Sequence, residues 1–326
     1  MSQIAMTNPF SKALLRAQMR RQGQEVGRTS LPPMQADWRG NLYPSLVPEA
    51  ERLINEGLPR HSHLEARNSS QAFAINLALP AAVGDPAPIS AALSALVKMQ
   101  LTLKSVALEY AGEAGWLAEV SGASFKPKDR YTMADIALFV EDAQGRSGVI
   151  LIEVKLSEGG FTTCGGVTSR HNKDRAPCED ASVFLSDPSR CYLTRPKFSS
   201  RDRRYWALLE GAYGAVRGAL SGWEPEGGCP FAGDWQQPMR NHALALAMVD
   251  AGQASFWHLA LVHHDQNPYV VEPWEAYRLA SAASAQLHRW PASTLLTALS
   301  EALQDPSYTS WMTSRYVLDE EIKYEL

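Results

Sequence analysis

Val149-Ile150-Leu151-Ile152-Glu153-Val154-Lys155-Leu156 is an apolar run rich in β-branched residues, interrupted by a carboxylate and an ammonium. Successive side chains of a strand point to opposite faces, so Glu153 and Lys155 share one face. A lone buried charge is costly, so a core strand that carries this pair has a use for it. Upstream, Ala134-Asp135-Ile136-Ala137-Leu138-Phe139-Val140 reads as a second strand with an acid near its start. The segment between them, residues 141–148, is polar and contains Gly145, as a hairpin connection requires. Pairing across that turn is expected to bring Asp135 beside Glu153 and Lys155. Two carboxylates and a lysine at one spot suit a hard divalent cation and an anionic substrate. The competing reading is a cross-strand ion pair on a half-exposed edge strand, and the apolar residues on either side of the pair argue against it.

Outward from this hairpin the periodicities change. Ser69 to Leu77 reads as a helix with a hydroxyl cap, and Pro88 to Met99 as another. Leu101 to Tyr110 reads as a strand. Residues 157 to about 234 hold all four cysteines and many turn formers, with one helix expected from Arg203 to Leu220. Gln236 opens a clear helix, with Pro238 suited to its first turn and Gly252 just past its end. Ser255 to His263 reads as a strand, and Trp274–Leu287 and Pro291–Leu303 as helices. Residues 1–60, broken by Pro32-Pro33, Pro44, Pro48 and Pro59, read as a helical and loop appendage to a domain of residues 61–326. The class expected is α/β, with a Cys-bearing insertion at 157–234 and helices from about 273.

The bulk properties narrow the possibilities. The chain has 326 residues, 45% hydrophobic and 20% charged, as in a globular protein. A net charge of −4 and a pI near 6.1 exclude a generally basic nucleic-acid coat. Any polynucleotide contact must come from local clusters such as Arg16, Arg20 and Arg21, or Arg195, Lys197, Arg201, Arg203 and Arg204. No run of eighteen apolar residues and no apolar signal core are present, so a cytoplasmic protein without membrane contact is expected, and structural disulfides are not.

The order helix, three strands, helix, strand, with Asp135 on one strand and Glu153-Val154-Lys155 on the next, resembles the PD-(D/E)XK nuclease superfamily. Within it the chain resembles a bacterial restriction-endonuclease-like family in Ser69-Ser70-Gln71-Ala72, Asp135-Ile136 and Glu153-Val154-Lys155-Leu156. The resemblance continues in Cys229-Pro230-Phe231, Gln237-Pro238-Met239-Arg240-Asn241 and Leu261-Val262-His263-His264, covering about residues 60–285. It implies a restriction-endonuclease-like mixed sheet flanked by helices, and a Mg²⁺- or Mn²⁺-dependent nuclease acting on DNA in phage defence, restriction or repair.

By the same resemblance Asp135 and Glu153 ligate the metal, helped by the Val154 carbonyl, and Lys155 orients the attacking water. Gln237, Arg240, Asn241 and Ser70 face water or phosphate. A further acid is Glu109 or Glu65, with Glu109 favoured because its strand neighbours that of Asp135. A non-catalytic nucleic-acid-binding or assembly module on the same fold is the alternative, and a homo-oligomer or a defence-system partner fits either.

Cys164, Cys178, Cys191 and Cys229 are separated by thirteen, twelve and thirty-seven residues, without the close pairs of a zinc ribbon. Some superfamily members carry a four-cysteine iron–sulfur cluster, although with one cysteine before the Glu-x-Lys strand rather than all four after it. A shared zinc or iron–sulfur site stands beside free thiols as a reading here. His171, His242 and the strand-end His263-His264-Asp265 read as packed or solvated polar residues.

Overall fold

The Asp135 and Glu153 strands form the expected hairpin, β2 (Ala134–Asp142) and β3 (Ser147–Lys155), paired antiparallel with Ile136 opposite Ile152. Its turn is tied by Asp142, whose carboxylate accepts the amides of Gln144 and Arg146, both at 2.9 Å. Gly145 supplies the left-handed φ of 75° that the turn needs. The computed structural model describes residues 8–21, 37–120, 131–194, 203–213 and 228–324. Arg195, Lys197 and Arg201 of the basic cluster, and residues 214–220 of the expected long helix, lie outside them.

The described residues build a five-stranded mixed sheet in the order β1-β2-β3-β4-β5. Strand β1 (Leu101–Tyr110) pairs antiparallel with β2, β4 (Phe256–His263) runs parallel to β3, and β5 (Leu287–Pro291) parallel to β4. A parallel neighbour requires a crossover, and the chain between β3 and β4 supplies it with a helix at Gln236–Asp250. The fold is therefore α/β, with helices on both faces of the sheet.

Period-two alternation divides the sheet into two cores. Ile136, Leu138, Val140, Ile150, Ile152 and Val154 face the first, with α1 (Pro9–Arg21), α2 (Val47–Asn55), α3 (Ser70–Val83) and α4 (Pro86–Val97). Ala137, Val149, Leu151, Leu259 and Leu261 face the second. There lie one-turn helices α5 (Gly165–Thr168), α6 (Ala176–Glu179) and α7 (Ala181–Ser186), then α8 (Tyr205–Tyr213), α9 (Gln236–Asp250) and α10 (Pro268–Ala280). Two last helices, α11 (Ser293–Leu303) and α12 (Ser307–Tyr316), return to the first core. Ser69 caps α3 by accepting the Ala72 amide, as its position before the apolar run suggests.

Two expectations need correction. The described part of residues 1–60 is not appended: Phe10, Leu14, Leu46 and Ala50 are fully buried in the first core beside Phe73 and Tyr316. Its proline-broken sequence hides this because the elements are short and their burial depends on distant helices. The segment read as a helix through Leu287 ends at Ala280, and Leu287–Pro291 is a strand instead. Five residues carry too little periodicity to reveal a strand, and pairing to β4 decides it. The insertion at 157–234 adds Phe161, Phe184 and Phe231 to the second core.

Candidate functional site

Register converts the strand pairing into a site. Leu108 pairs with Ile136 and Tyr110 with Ala134, which sets Glu109 opposite Asp135; Ile136 pairs with Ile152, which sets Asp135 opposite Glu153. Three acids therefore lie in a line across β1, β2 and β3. Lys155 follows two residues along β3, on the same face as Glu153. That face meets α9.

Glu153 is 1% exposed and has a donor for each carboxylate oxygen. Lys155 Nζ lies 2.8 Å from Oε1, which also accepts Gln237 Nε2 at 2.5 Å, and Asn241 Nδ2 donates to Oε2 at 2.7 Å. Gln237 and Asn241 stand four residues apart on α9, so one helix face supplies both. Gln237 Oε1 accepts Lys155 Nζ at 3.2 Å and the Thr162 amide at 3.0 Å, which ties the site to the chain leaving β3. The Lys155 ammonium also sits 5.5 Å from the Phe161 ring centroid.

Asp135 Oδ2 accepts the Val154 amide at 2.6 Å, fixing its carboxyl against β3. Burial, then the charges of Glu153 and Glu109, hold that carboxyl well above the usual carboxylate range, and Lys155 offsets only part. For Lys155 burial alone would depress the ammonium. The charges of Glu153, Glu158 and Asp135 outweigh burial and hold its pKa above the ordinary lysine value. Glu109 accepts Gln71 Nε2 at 3.0 Å and lies 3.2 Å from His61 Nε2, and its φ of 49° is unusual for a residue with a Cβ. Glu65 pairs with Arg60 instead, so Glu109 is the acid within reach of Asp135.

The remaining expected residues divide. Ser70 donates to Glu158 rather than facing the Asp135–Glu153 pair. Glu158 Oε2 in turn accepts the amides of Leu156 and Ser157, at 2.8 and 2.9 Å. Arg240 turns away from the pair and joins a buried network: it bonds Thr132 Oγ1 at 3.0 Å and Glu119 at 3.2 Å, and Tyr205 also donates to Glu119. Sequence reading missed Glu158, although it follows Lys155 by three residues in a polar turn. It missed Glu119 and Thr132 because nothing periodic marks their segments. His263 and His264 are packed internally: His263 Nδ1 bonds its neighbour's carbonyl at 2.7 Å, and His264 Nε2 bonds that of Tyr316 at 2.8 Å.

Among the described residues no three His, Cys, Asp or Glu side chains surround a point fit for a single metal ion. A cation held by Asp135 and Glu153 would take its other ligands from water and phosphate, as Mg²⁺ commonly does. The chemistry of the donors fits: hard oxygens, and a carboxyl whose ionisation is opposed by burial and two neighbouring acids and favoured by Lys155. All four cysteines are free thiols, Cys164 and Cys191 buried, Cys178 and Cys229 half-buried. Among the described residues no single helix is long and apolar enough to cross a membrane.

No curated protein and no solved structure matches the chain. A family model described as restriction endonuclease associating with ARP matches residues 9–317, beyond the limits of about 60–285 suggested by the short motifs and including the N-terminal helix that packs into the core. With the strand-borne acids, Lys155 and the mixed sheet that aligns them, that match over nearly the whole length means that the chain belongs to the family of restriction endonucleases associating with ARP.

Proposed function

We propose that this protein is a Mg²⁺- or Mn²⁺-dependent nuclease of the PD-(D/E)XK type that hydrolyses phosphodiester bonds of DNA, serving restriction, phage defence or repair. The observation that carries this reading is the line of Glu109, Asp135 and Glu153 across three adjacent strands, with Lys155 bonded to the last of them. Asp135 and Glu153 would hold the ion, with the Val154 carbonyl as a further oxygen donor. When bound, the ion polarises the scissile phosphate and lowers the pKa of a ligated water.

The chain's own residues do the rest. Lys155 is held so firmly in its charged form that it is unsuited to act as the base. It donates hydrogen bonds to the attacking water or a phosphate oxygen and offsets the developing negative charge. Gln237, bonded to both Lys155 and Glu153, sets the distance between them. Asn241 holds the second oxygen of Glu153 and so fixes the direction of the first. Both are positioning residues. Arg240, paired to Glu119, braces α9 against the residues before β2 rather than binding phosphate.

The test is cleavage of single-stranded, duplex and circular DNA, with an RNA arm, in Mg²⁺ or Mn²⁺. The expected result is cleavage that a chelator stops and that falls by about 10²-fold or more in Asp135→Asn and in Lys155→Met. Cleavage surviving both substitutions removes the mechanism. Polynucleotide binding without cleavage under any condition supports the non-catalytic module instead.

A further inference from the structure

We propose that Arg67 and Arg315 form an anion site that takes phosphate, as the free ion or as a phosphate monoester. No residue of the carboxylate site takes part, so this proposal stands or falls independently of the nuclease reading.

Four segments far apart in the chain bring polar side chains to one buried place. Gln18 comes from α1, Asn41 from the turn Trp38–Asn41, Arg67 from the loop before α3, and Arg315 from α12. All four residues are at most 5% exposed. Gln18 Nε2 donates to the carbonyls of Arg67 at 3.4 Å and Arg315 at 3.1 Å, so one amide ties the two arginines together. Arg315 Nη2 donates to Asn41 Oδ1 and, at 3.4 Å, to the Arg67 carbonyl. Asn41 Nδ2 donates to the carbonyls of Leu64 at 2.7 Å and Ala66 at 3.0 Å, which fixes the chain leading into Arg67.

These bonds leave most of the guanidinium donors unused. Nε and Nη1 of both Arg67 and Arg315 are buried and have no hydrogen-bond partner among the described residues, and the same holds for Gln18 Oε1. Burial lowers both guanidinium pKa values below the ordinary arginine value, and no carboxylate among the described residues offsets this at either. Arginine nevertheless stays charged in a protein, so the two positive charges persist. The acids nearest in sequence are engaged elsewhere. Glu65 pairs with Arg60, and Asp319 and Glu320 pair with Arg21. Arg240 shows the usual arrangement, with Glu119 as its counter-charge at 3.2 Å. A buried charge without a partner is costly. Water would satisfy the N–H groups without neutralising the two cations, whereas an anion does both.

The chemistry selects the anion. Four unpaired nitrogen atoms on two cations suit several acceptor oxygens and more than one negative charge. A phosphate group has three acceptor oxygens and a charge of about −1.5 to −2 at neutral pH, where a carboxylate has two oxygens and a single charge. Gln18 Oε1 is an acceptor, so it suits the hydroxyl of hydrogen phosphate or of the group that carries the ester. Helix α1 closes over the pair. Besides Gln18 it is held to α12 by Arg21, which donates to the Thr313 carbonyl at 3.3 Å and pairs with the exposed Asp319 and Glu320. Exposed ion pairs of this kind contribute little, so the last turn of α1 can part from α12 to admit a small anion.

The experiment measures binding of inorganic phosphate, a nucleoside monophosphate and a 5′-phosphorylated oligonucleotide to the full chain by calorimetry. A chelator is present and ionic strength is constant, with thermal unfolding followed in parallel. The most informative variant is Arg67→Met, because the Arg67 guanidinium makes no hydrogen bond to another side chain among the described residues. The expected result is saturable binding that raises Tm, weakened by about tenfold or more in Arg67→Met and in Arg315→Met and unchanged in Asp135→Asn. In phosphate-free buffer Arg67→Met should melt at or above the wild-type temperature, since an unpaired buried charge is gone. Tighter binding of inorganic phosphate identifies the free ion as ligand, and tighter binding of the nucleotide or oligonucleotide identifies a monoester. Absence of binding at millimolar phosphate overturns the proposal. So does an equal rise in Tm for wild type and Arg67→Met, which is a bulk salt effect, or binding lost in Asp135→Asn and kept in Arg67→Met. An Arg67→Met protein that melts below wild type while phosphate changes neither shows a structural brace and also overturns it. Should the methionine variants not fold, phosphorus NMR decides: a saturable shift with wild type that Asp135→Asn retains supports the site, and an unmoved line removes it.

Discussion

Replacing Lys155 by methionine tests the centre of the site, because Met keeps the length of the side chain and removes its charge. The ammonium lies 2.8 Å from Glu153 Oε1, and the two side chains are 10% and 2% exposed, so solvent screens the pair little. Removing one partner of a buried pair costs about 3–5 kcal/mol, whereas replacing both by neutral groups of similar shape is neutral or gains about 1–4 kcal/mol. At 326 residues the unfolding entropy is about 0.7 kcal/mol per kelvin. Lys155→Met alone should therefore lower Tm by about 4–7 °C. The double variant Glu153→Gln with Lys155→Met should melt at or above the wild-type temperature. Thermal unfolding followed by circular dichroism reads both. Added Mn²⁺ should recover more of the loss in the single variant than in the double one, since only the single variant leaves Asp135 and Glu153 without a counter-charge. A single variant within about 1 °C of wild type, or a double variant no better than the single, would refute the buried-pair reasoning.

Other consequences follow from the same geometry. Glu158→Gln removes one of the charges that hold the Lys155 ammonium up, so the alkaline limb of a pH–cleavage profile should move to lower pH; an unmoved limb means Glu158 does not act on Lys155. Phe10→Ala empties a fully buried position in α1, packed 5.2 Å from the His264 ring, and should cost about 3–5 kcal/mol in a denaturation experiment. An appended N-terminal segment would lose almost nothing. His258, His264 and His288 are each held near 4 against an ordinary imidazole value of 6.5, first by burial. Their folded pKa values are depressed, so their contribution to stability is present above pH 6.5 and lost as pH falls through about 4. Denaturant midpoints measured across that window should fall steeply, and a flat profile would contradict the burial of these rings.

The hairpin, its turn and the shared face of Glu153 and Lys155 were legible in the chain alone, because strand period and turn chemistry are local properties. The same holds for the Ser69 cap. Other features depended on distant partners. Arg240 shares a helix turn with Gln237 and Asn241 but faces Glu119, since a difference of one residue on a helix turns a side chain by about 100°. Ser70 found Glu158, and Phe10 found His264 from across the chain. The short strand β5 exists because β4 offered an edge. Local pattern determined which residues could carry charge on one face of a strand. Long-range packing decided which of those charges are buried together, because burial depends on neighbours far along the chain, such as Gln237 and Asn241, that no local spacing records.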